Sequence, residues 1–164
     1  MALVDKGGYL VDDAVWKKMR KNLERGNHLA AKIGFFQDST YGPENDNLTV
    51  AQVAQWQEEG NDKIPMRPFI RSGFMEKVQQ EKWITPQVLG WIDDIAMGKS
   101  TWTAMYNKLG PVFVKMMQDE IRDWKIPMNA PLTVQLKGFN DPLIDTGKML
   151  DSVDYLLGRK SGGQ

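Results

Sequence analysis

The spacing of apolar and polar positions along the chain predicts a series of amphipathic helices. In Ala14–Arg25, the apolar residues Trp16, Met19 and Leu23 recur at intervals of three and four, and basic side chains occupy the other face. The same spacing predicts further helices over residues 49–59, 69–83, 85–97 and 102–124, and a short helical turn over 131–137.

Two segments, one near each end of the chain, have the alternation that is typical of strands. They cover residues 29–36 and 153–158, and the polar loop 37–47 can add a hairpin arm. Because two strands bury their apolar faces only within a shared, covered sheet, we expect a small antiparallel sheet packed against several helices. The predicted fold class is therefore α+β.

Capping residues predict where these helices begin. Asn47 or Thr49 is expected to cap the second helix, and Thr85 and Ser100 are expected to cap two later ones. The sequence Gly110-Pro111 predicts either one kinked helix or two abutting helices.

Glu58 and Glu59 end the second helix next to Gly60. Adjacent helical residues point about 100 degrees apart, so the two carboxylates do not face one another as a general acid and base must. We expect a solvated helix end.

Length and composition predict one domain over residues 1–164, with a flexible N-terminal segment 1–12 and a frayed tail 159–164. Lys and Arg number 21 and Asp and Glu number 21, which argues against a protein whose main task is to neutralise nucleic-acid phosphates. The absence of cysteine excludes disulfides and thiolate sites, and a single histidine makes a catalytic triad or a multi-histidine metal site hard to build.

The distribution of apolar residues bears on location and on assembly. The N-terminus lacks the apolar run of a signal peptide, and no stretch approaches the roughly 20 apolar residues of a membrane span. Six Trp, six Phe and ten Met are a heavy apolar load. These residues either fill the core or cover a subunit interface, where Trp, Phe and Met are enriched.

The densest local pattern is PLIDTGKMLDS, residues 142–152. Asp145-Thr146-Gly147 after two apolar residues is the form of a catalytic carboxylate in retroviral-type aspartic peptidases, but the same letters also begin a helix. Such a peptidase needs a flap and a further strand system after this motif. Only 17 residues follow Gly147, so Asp145 as a catalytic residue is a remote alternative.

A succession of motifs carries a resemblance to a known family. In chain order they are IGFF at 33–36, VAQVA at 50–54 with Trp56 and Glu59-Gly60, IPMRPFIR at 64–71, NAPLT at 129–133 with Lys137-Gly138, and PLIDTGKM at 142–149 with Ser152. In order and spacing, this succession resembles the neck and tail-completion (virion morphogenesis) family of tailed bacteriophages. Glu59 before Gly60 and the Gly110-Pro111 break depart from the family's usual pattern.

The resemblance implies a non-enzymatic virion subunit that forms part of the head–tail neck. It implies a homo-oligomeric ring, six- or twelvefold, that contacts neighbouring neck or adaptor proteins and tail-terminator or tail-tube proteins. DNA would pass through the lumen without sequence-specific binding, and the protein would be made in the host cytoplasm without membrane contact. A tail terminator or another minor tail component that caps the tube is the alternative.

Within this resemblance, Pro65 and Pro68 stiffen a connector, Arg67 and Arg71 pair across it or between subunits, and Asp145 or Thr146 caps the last short helix. The structural or interface candidates are Pro65, Arg67, Pro68, Phe69, Arg71, Leu143, Ile144, Asp145, Thr146 and Gly147. The basic side chains of the first helix are candidates for a partner or lumen surface: Lys17, Lys18, Arg20, Lys21 and Arg25. No catalytic residue, metal ligand or cofactor is predicted.

Overall fold

Helices make up most of the computed structural model, which describes residues 3–4, 10–36 and 39–159. The predicted flexible segment 1–12 and frayed tail 159–164 lie largely outside these residues. The described part contains seven α-helices and is an α+β fold, as predicted. The helices are α1 Asp13–Glu24, α2 Val50–Glu59, α3 Met75–Gln80, α4 Ile84–Ala96, α5 Trp102–Asp123, α6 Pro131–Lys137 and α7 Lys148–Asp151.

The strands form two small sheets. β1 (Leu3–Val4) and β2 (Leu10–Val11) pair antiparallel, with Leu3 opposite Val11. The predicted pair, β3 (Leu29–Phe35) and β4 (Val153–Arg159), forms a two-stranded antiparallel sheet. In residues 39–50, Thr40 pairs antiparallel with Thr49 across a 3-10 turn, Pro43–Asn45, so this segment folds back on itself as a short hairpin-like arm; residues 37–38 lie outside the described part.

Backbone contacts divide the chain into two compact units. The first unit comprises Met1–Lys32, Lys82–Leu109 and Leu157–Gln164, and the second comprises Ile33–Glu81 and Gly110–Leu156. The single-domain interpretation stays a prediction.

In the first unit, α1 packs on α4, and Trp102 lies against the turn that follows α1. The Trp102 indole Nε1 donates to the Asn22 carbonyl over 3.2 Å, and the Asn22 side chain donates to the Ala96 carbonyl over 3.1 Å. A Cβ on Gly26 would lie 2.2 Å from the Trp102 ring, so this approach requires glycine.

The second unit has a core of apolar side chains from α2, α5, α7 and the segment after the connector. Phe69 and Val50 are fully buried, and Met117 and Ile121 are nearly so. The Phe69 ring meets Phe35 edge to face, with centroids 6.2 Å apart.

Helix boundaries confirm some capping predictions and correct others. Thr49, and not Asn47, caps α2 through a capping box with Gln52. α4 begins at Ile84, so Thr85 lies inside the helix and not at its cap; Pro86 in the first turn costs no hydrogen bond, since those amides lack helical partners. α5 is capped by Thr101, whose Oγ1 accepts from Ala104 N over 3.1 Å, and not by Ser100.

The predicted helix over 69–83 begins with a π-helix, Phe69–Phe74, continues as α3 and ends at Gln80. Farther on, α5 passes without interruption through Pro111, which selects one continuous helix from the two alternatives. A Cβ on the adjacent Gly110 would lie 2.3 Å from the Tyr155 ring, so glycine allows β4 to approach α5 at this point.

Candidate functional site

The guanidinium of Arg67 lies at the centre of the second unit's polar network. Arg67 is 3% exposed. Its Nε donates to the Pro127 carbonyl over 3.0 Å, its Nη1 donates to Gln57 Oε1, and its Nη2 donates to the Met128 carbonyl over 3.2 Å. A longer contact joins Nη2 to Asn129 Oδ1 at 3.4 Å. All four acceptors are neutral, and burial lowers the pKa of the guanidinium.

These contacts give the connector between α2 and the π-helix a fixed position. The backbone amide of Arg67 donates to the Gln57 carbonyl over 2.7 Å, so the main chain and the side chain of one residue both bind the end of α2. Through its other donors Arg67 holds the loop 127–129. The donors of Arg67 bind acceptors inside the unit, and Arg71 pairs with Glu58 across the connector; pairing of either arginine between subunits stays a prediction.

Glu58 is a buried anion, although the sequence predicts a solvated helix end. It is 8% exposed, and its carboxylate accepts from Ile70 N over 2.8 Å and from Arg71 N over 3.0 Å. The Arg71 Nε donates to the same carboxylate over 2.9 Å. The first amides of a helix lack helical acceptors, so the carboxylate satisfies the start of the π-helix. The prediction of a solvated helix end is wrong for Glu58 and is confirmed for Glu59, which is exposed.

The loop of the PLIDTGK motif is anchored by apolar side chains. Pro142 and Leu143 are buried, and Met149 of α7 is 4% exposed. Gly147 occupies the N-cap of α7 with a φ of 83°, a left-handed conformation that favours glycine.

The predicted cap of α7 by Asp145 or Thr146 is corrected, because no side-chain cap bond forms at Gly147. Thr146 Oγ1 accepts from Lys148 N only at the long distance of 3.4 Å. Asp145 itself is exposed.

Lys137, at the end of α6, holds this loop from the other side. Its Nζ donates to the Asp141 carbonyl over 2.9 Å and also to the Ile144 carbonyl. Burial lowers the pKa of this ammonium, and nearby carboxylates of Asp145 and Asp141 oppose that shift. The sequence singles out Lys137 only as part of a motif. Both acceptors lie close by in the chain, four and seven residues after Lys137, and this short separation is the only sign of the role in the local sequence.

A cleft of about 440 Å³ opens between α2, α6 and the motif loop, within the second unit. Its lining includes Tyr41, Gln57, Asn129, Leu136, Lys137 and residues 142–149. Burial, and then the charge of Asp145, raises the pKa of the Tyr41 hydroxyl. The cleft therefore connects the two most specific motifs. The PLIDTGK loop forms one wall, and the lining residues Gln57 and Asn129 bind Arg67 of the motif IPMRPFIR.

The basic helix α1 differs from this network, because its charges face solvent. Lys17 pairs with Asp13 and Arg20 pairs with Glu24, both over 2.7 Å and four residues apart. Lys18, Lys21 and Arg25 are exposed. Trp16, which shares the apolar spacing of Met19 and Leu23, is 54% exposed. The inward positions are Met19, Asn22 and Leu23, which are half-buried.

Within the described part of the chain, no group of three His, Asp or Glu side chains is arranged to hold a metal ion. Over the same residues, no helix combines the length and the apolarity that crossing a membrane requires.

Comparison of the chain with protein-family models, curated proteins and solved structures finds no match.

Proposed function

We propose that this protein is a structural subunit of a tailed phage, a tail-completion or connector protein that forms a ring in the head–tail neck. The observation that carries the proposal is the ordered succession of motifs from IGFF at 33–36 to PLIDTGKM at 142–149. The location of those motifs supports it: Arg67 and Phe69 are buried anchors, and Leu143 belongs to the core. Motif residues that are buried stabilise the shape of the subunit, and a subunit needs a defined shape to assemble.

An uncharged, apolar surface supports assembly. The eleven residues 126–136 contain no charged side chain, and Ile126 and Leu136 are 77% and 79% exposed. We call the exposed apolar residues of this segment, together with Met66 beside Arg67, the apolar face: Met66, Ile126, Met128, Leu132 and Leu136. Depletion of charge and enrichment in Met mark the centres of protein interfaces. A ring is a heterologous assembly, in which each copy contributes two different surfaces, and the apolar face is our candidate for one of them.

Imaging of virions tests the proposal. An affinity tag on this chain, labelled with gold and viewed in negative stain, is expected to mark the joint between head and tail. Label at the far end of the tail, or on no part of the particle, contradicts the proposal. Label on the tail side of the joint, beyond the portal-side adaptor, selects the alternative of a tail terminator.

One substitution tests the apolar face. Leu132→Asp places a charge at a position of the apolar face that is 66% exposed and does not line the cleft, so the subunit should fold normally but fail to assemble, because an interface core excludes unpaired charge. Native mass spectrometry and electron microscopy of neck assemblies measure the loss. Gln135→Asp on the same helix is the matched control and should assemble. Equal assembly of both variants shows that the apolar face is not a subunit contact.

A further inference from the structure

The half-buried cation Lys137 lines the cleft, and the buried guanidinium of Arg67 lies behind the lining; neither forms a salt bridge within the part of the chain that the structure describes. Arg67 reaches the cleft through Gln57 and Asn129, which bind its guanidinium and also line the cleft. Lys137 lines the cleft directly, and its ammonium donates to two backbone carbonyls. In both cases the acceptors are neutral.

Neutral acceptors satisfy the donors of a buried cation but do not cancel its charge. Burying a charge is costly unless an opposite charge is close, and the guanidinium of Arg67 has only neutral acceptors. At Lys137, burial lowers the pKa of the ammonium, the carboxylates of Asp145 and Asp141 raise it, and the charge of Arg67 lowers it by less than either carboxylate raises it. Asp145 also lines the cleft, so the charged residues of the lining are two cations, Lys137 and Lys148, and one anion.

The lining of the cleft combines donors with apolar side chains. Lys148 and the Tyr41 hydroxyl add donors to that of Lys137, and Val53 and Leu136 provide apolar walls. A volume of about 440 Å³ lies within the range of protein binding sites. A ligand that fits this lining carries a negative charge on an apolar stem.

We propose that the cleft is a binding site for a peptide carboxylate, the Glu or Asp side chain of an apolar segment in another protein. Nucleic-acid phosphates fit less well. Phosphate binding relies on several exposed Lys and Arg side chains, whereas the cleft lining contributes only two cations, Lys137 and Lys148. The apolar half of the lining matches a peptide and has no counterpart in a phosphate backbone. The site exists whether or not the chain assembles in a phage neck, so failure of either proposal leaves the other standing.

Binding of two blocked peptides to the full-length, isotope-labelled protein tests the site. The probes are acetyl-Leu-Glu-Leu-amide and the matched acetyl-Leu-Gln-Leu-amide, and binding is followed by nuclear magnetic resonance of the backbone amides. The Glu peptide should shift the amides of Asn129, Thr146 and Lys148 in a saturable way. The Gln peptide should bind roughly tenfold more weakly, because it lacks the charge.

Two variants identify the cations that are responsible. Lys137→Gln should weaken binding of the Glu peptide roughly tenfold and leave the Gln peptide almost unchanged. Because Lys137 also holds the motif loop, Lys148→Gln is a second variant that removes a cleft cation without removing those bonds. Lys148→Gln should also weaken binding of the Glu peptide. Lys63→Gln, an exposed lysine of the same unit away from the cleft lining, is the control and should bind normally.

Three results overturn the proposal. The first is equal binding of the Glu and Gln peptides, which assigns recognition to the apolar wall alone. The second is the absence of saturable shifts at the cleft amides. The third is binding of inorganic phosphate or of a short single-stranded oligonucleotide at the same amides more tightly than the Glu peptide.

Discussion

The connector around Arg67 and the helix α1 are both rich in basic residues, and they use their charges in opposite ways. Arg67 is buried and donates to four oxygens, whereas Lys18 and Lys21 of α1 are exposed. Buried charges with satisfied donors fix the relative position of chain segments, and exposed charges contribute little to stability but remain available to partners. Charge in the sequence therefore indicates a role only when its burial is known.

The largest effect that we expect is from Arg67→Met. It removes the donors from acceptors on α2 and on the loop 127–129, leaving partly buried oxygens without partners. The free energy of unfolding should fall by about 3–5 kcal/mol, which chemical denaturation measures. Arg20→Met on α1 is the matched control, since Arg20 makes only an exposed ion pair with Glu24. Equal losses for the two variants would remove the distinction between the regions.

A smaller loss should follow Glu58→Gln. The substituted amide keeps one acceptor oxygen but loses the charge that faces Ile70 N, Arg71 N and the Arg71 guanidinium. We expect a loss of about 2 kcal/mol in the free energy of unfolding. Glu59→Gln, at the exposed neighbour, should change stability by less than about 0.5 kcal/mol. If Glu58→Gln leaves the free energy of unfolding unchanged, the carboxylate does not hold the π-helix.

Gly147→Ala should cost about 1 kcal/mol, because alanine enters the left-handed region with strain. Gly90→Ala in α4 is the control. Apart from its chain neighbours and the backbone of its own helix, nothing lies within 4 Å of the position that its Cβ would occupy, and its backbone is helical, so alanine should be neutral or slightly stabilising. Thermal unfolding of both variants, followed by circular dichroism, gives the difference. A loss at Gly90 as large as that at Gly147 would contradict the conformational explanation.

The smallest effect on stability is expected for the double variant Lys18→Glu, Lys21→Glu. Both side chains are exposed on α1, so the free energy of unfolding should change by less than about 0.5 kcal/mol. Denaturation of the double variant beside the wild type measures this change. A loss above about 2 kcal/mol would mean that α1 uses these charges structurally, as the connector uses Arg67.

The sequence predicts the elements whose signals are local. α1, α2 and α6 begin and end within one residue of their predicted bounds, because capping residues, Gly60 and Gly138 specify those ends. The pairing of β3 with β4 follows from their being the two segments with strand alternation. The sequence does not decide between one kinked helix and two abutting helices at Gly110-Pro111, because the packing of Tyr155 against Gly110 is a tertiary feature.

Local sequence patterns do not predict the roles of Arg67 and Glu58. Arg67 meets oxygens that lie about sixty residues away in the chain, and Glu58 meets amides of a helix that begins after the connector. Spacing within one helix correctly excludes Glu58 and Glu59 as a facing pair, but it carries no information on which of them is covered. Burial of Glu58 depends on the fold of the next segment.

Reconstruction of a virion neck by cryo-electron microscopy would show whether this chain forms a ring there. We expect a ring of six or twelve copies of this chain at the head–tail joint. Arg67 should be buried inside each subunit, and a neighbouring subunit should cover the apolar face. A joint that lacks this chain, or a ring in which the apolar face is open to solvent, would rule out the proposed ring.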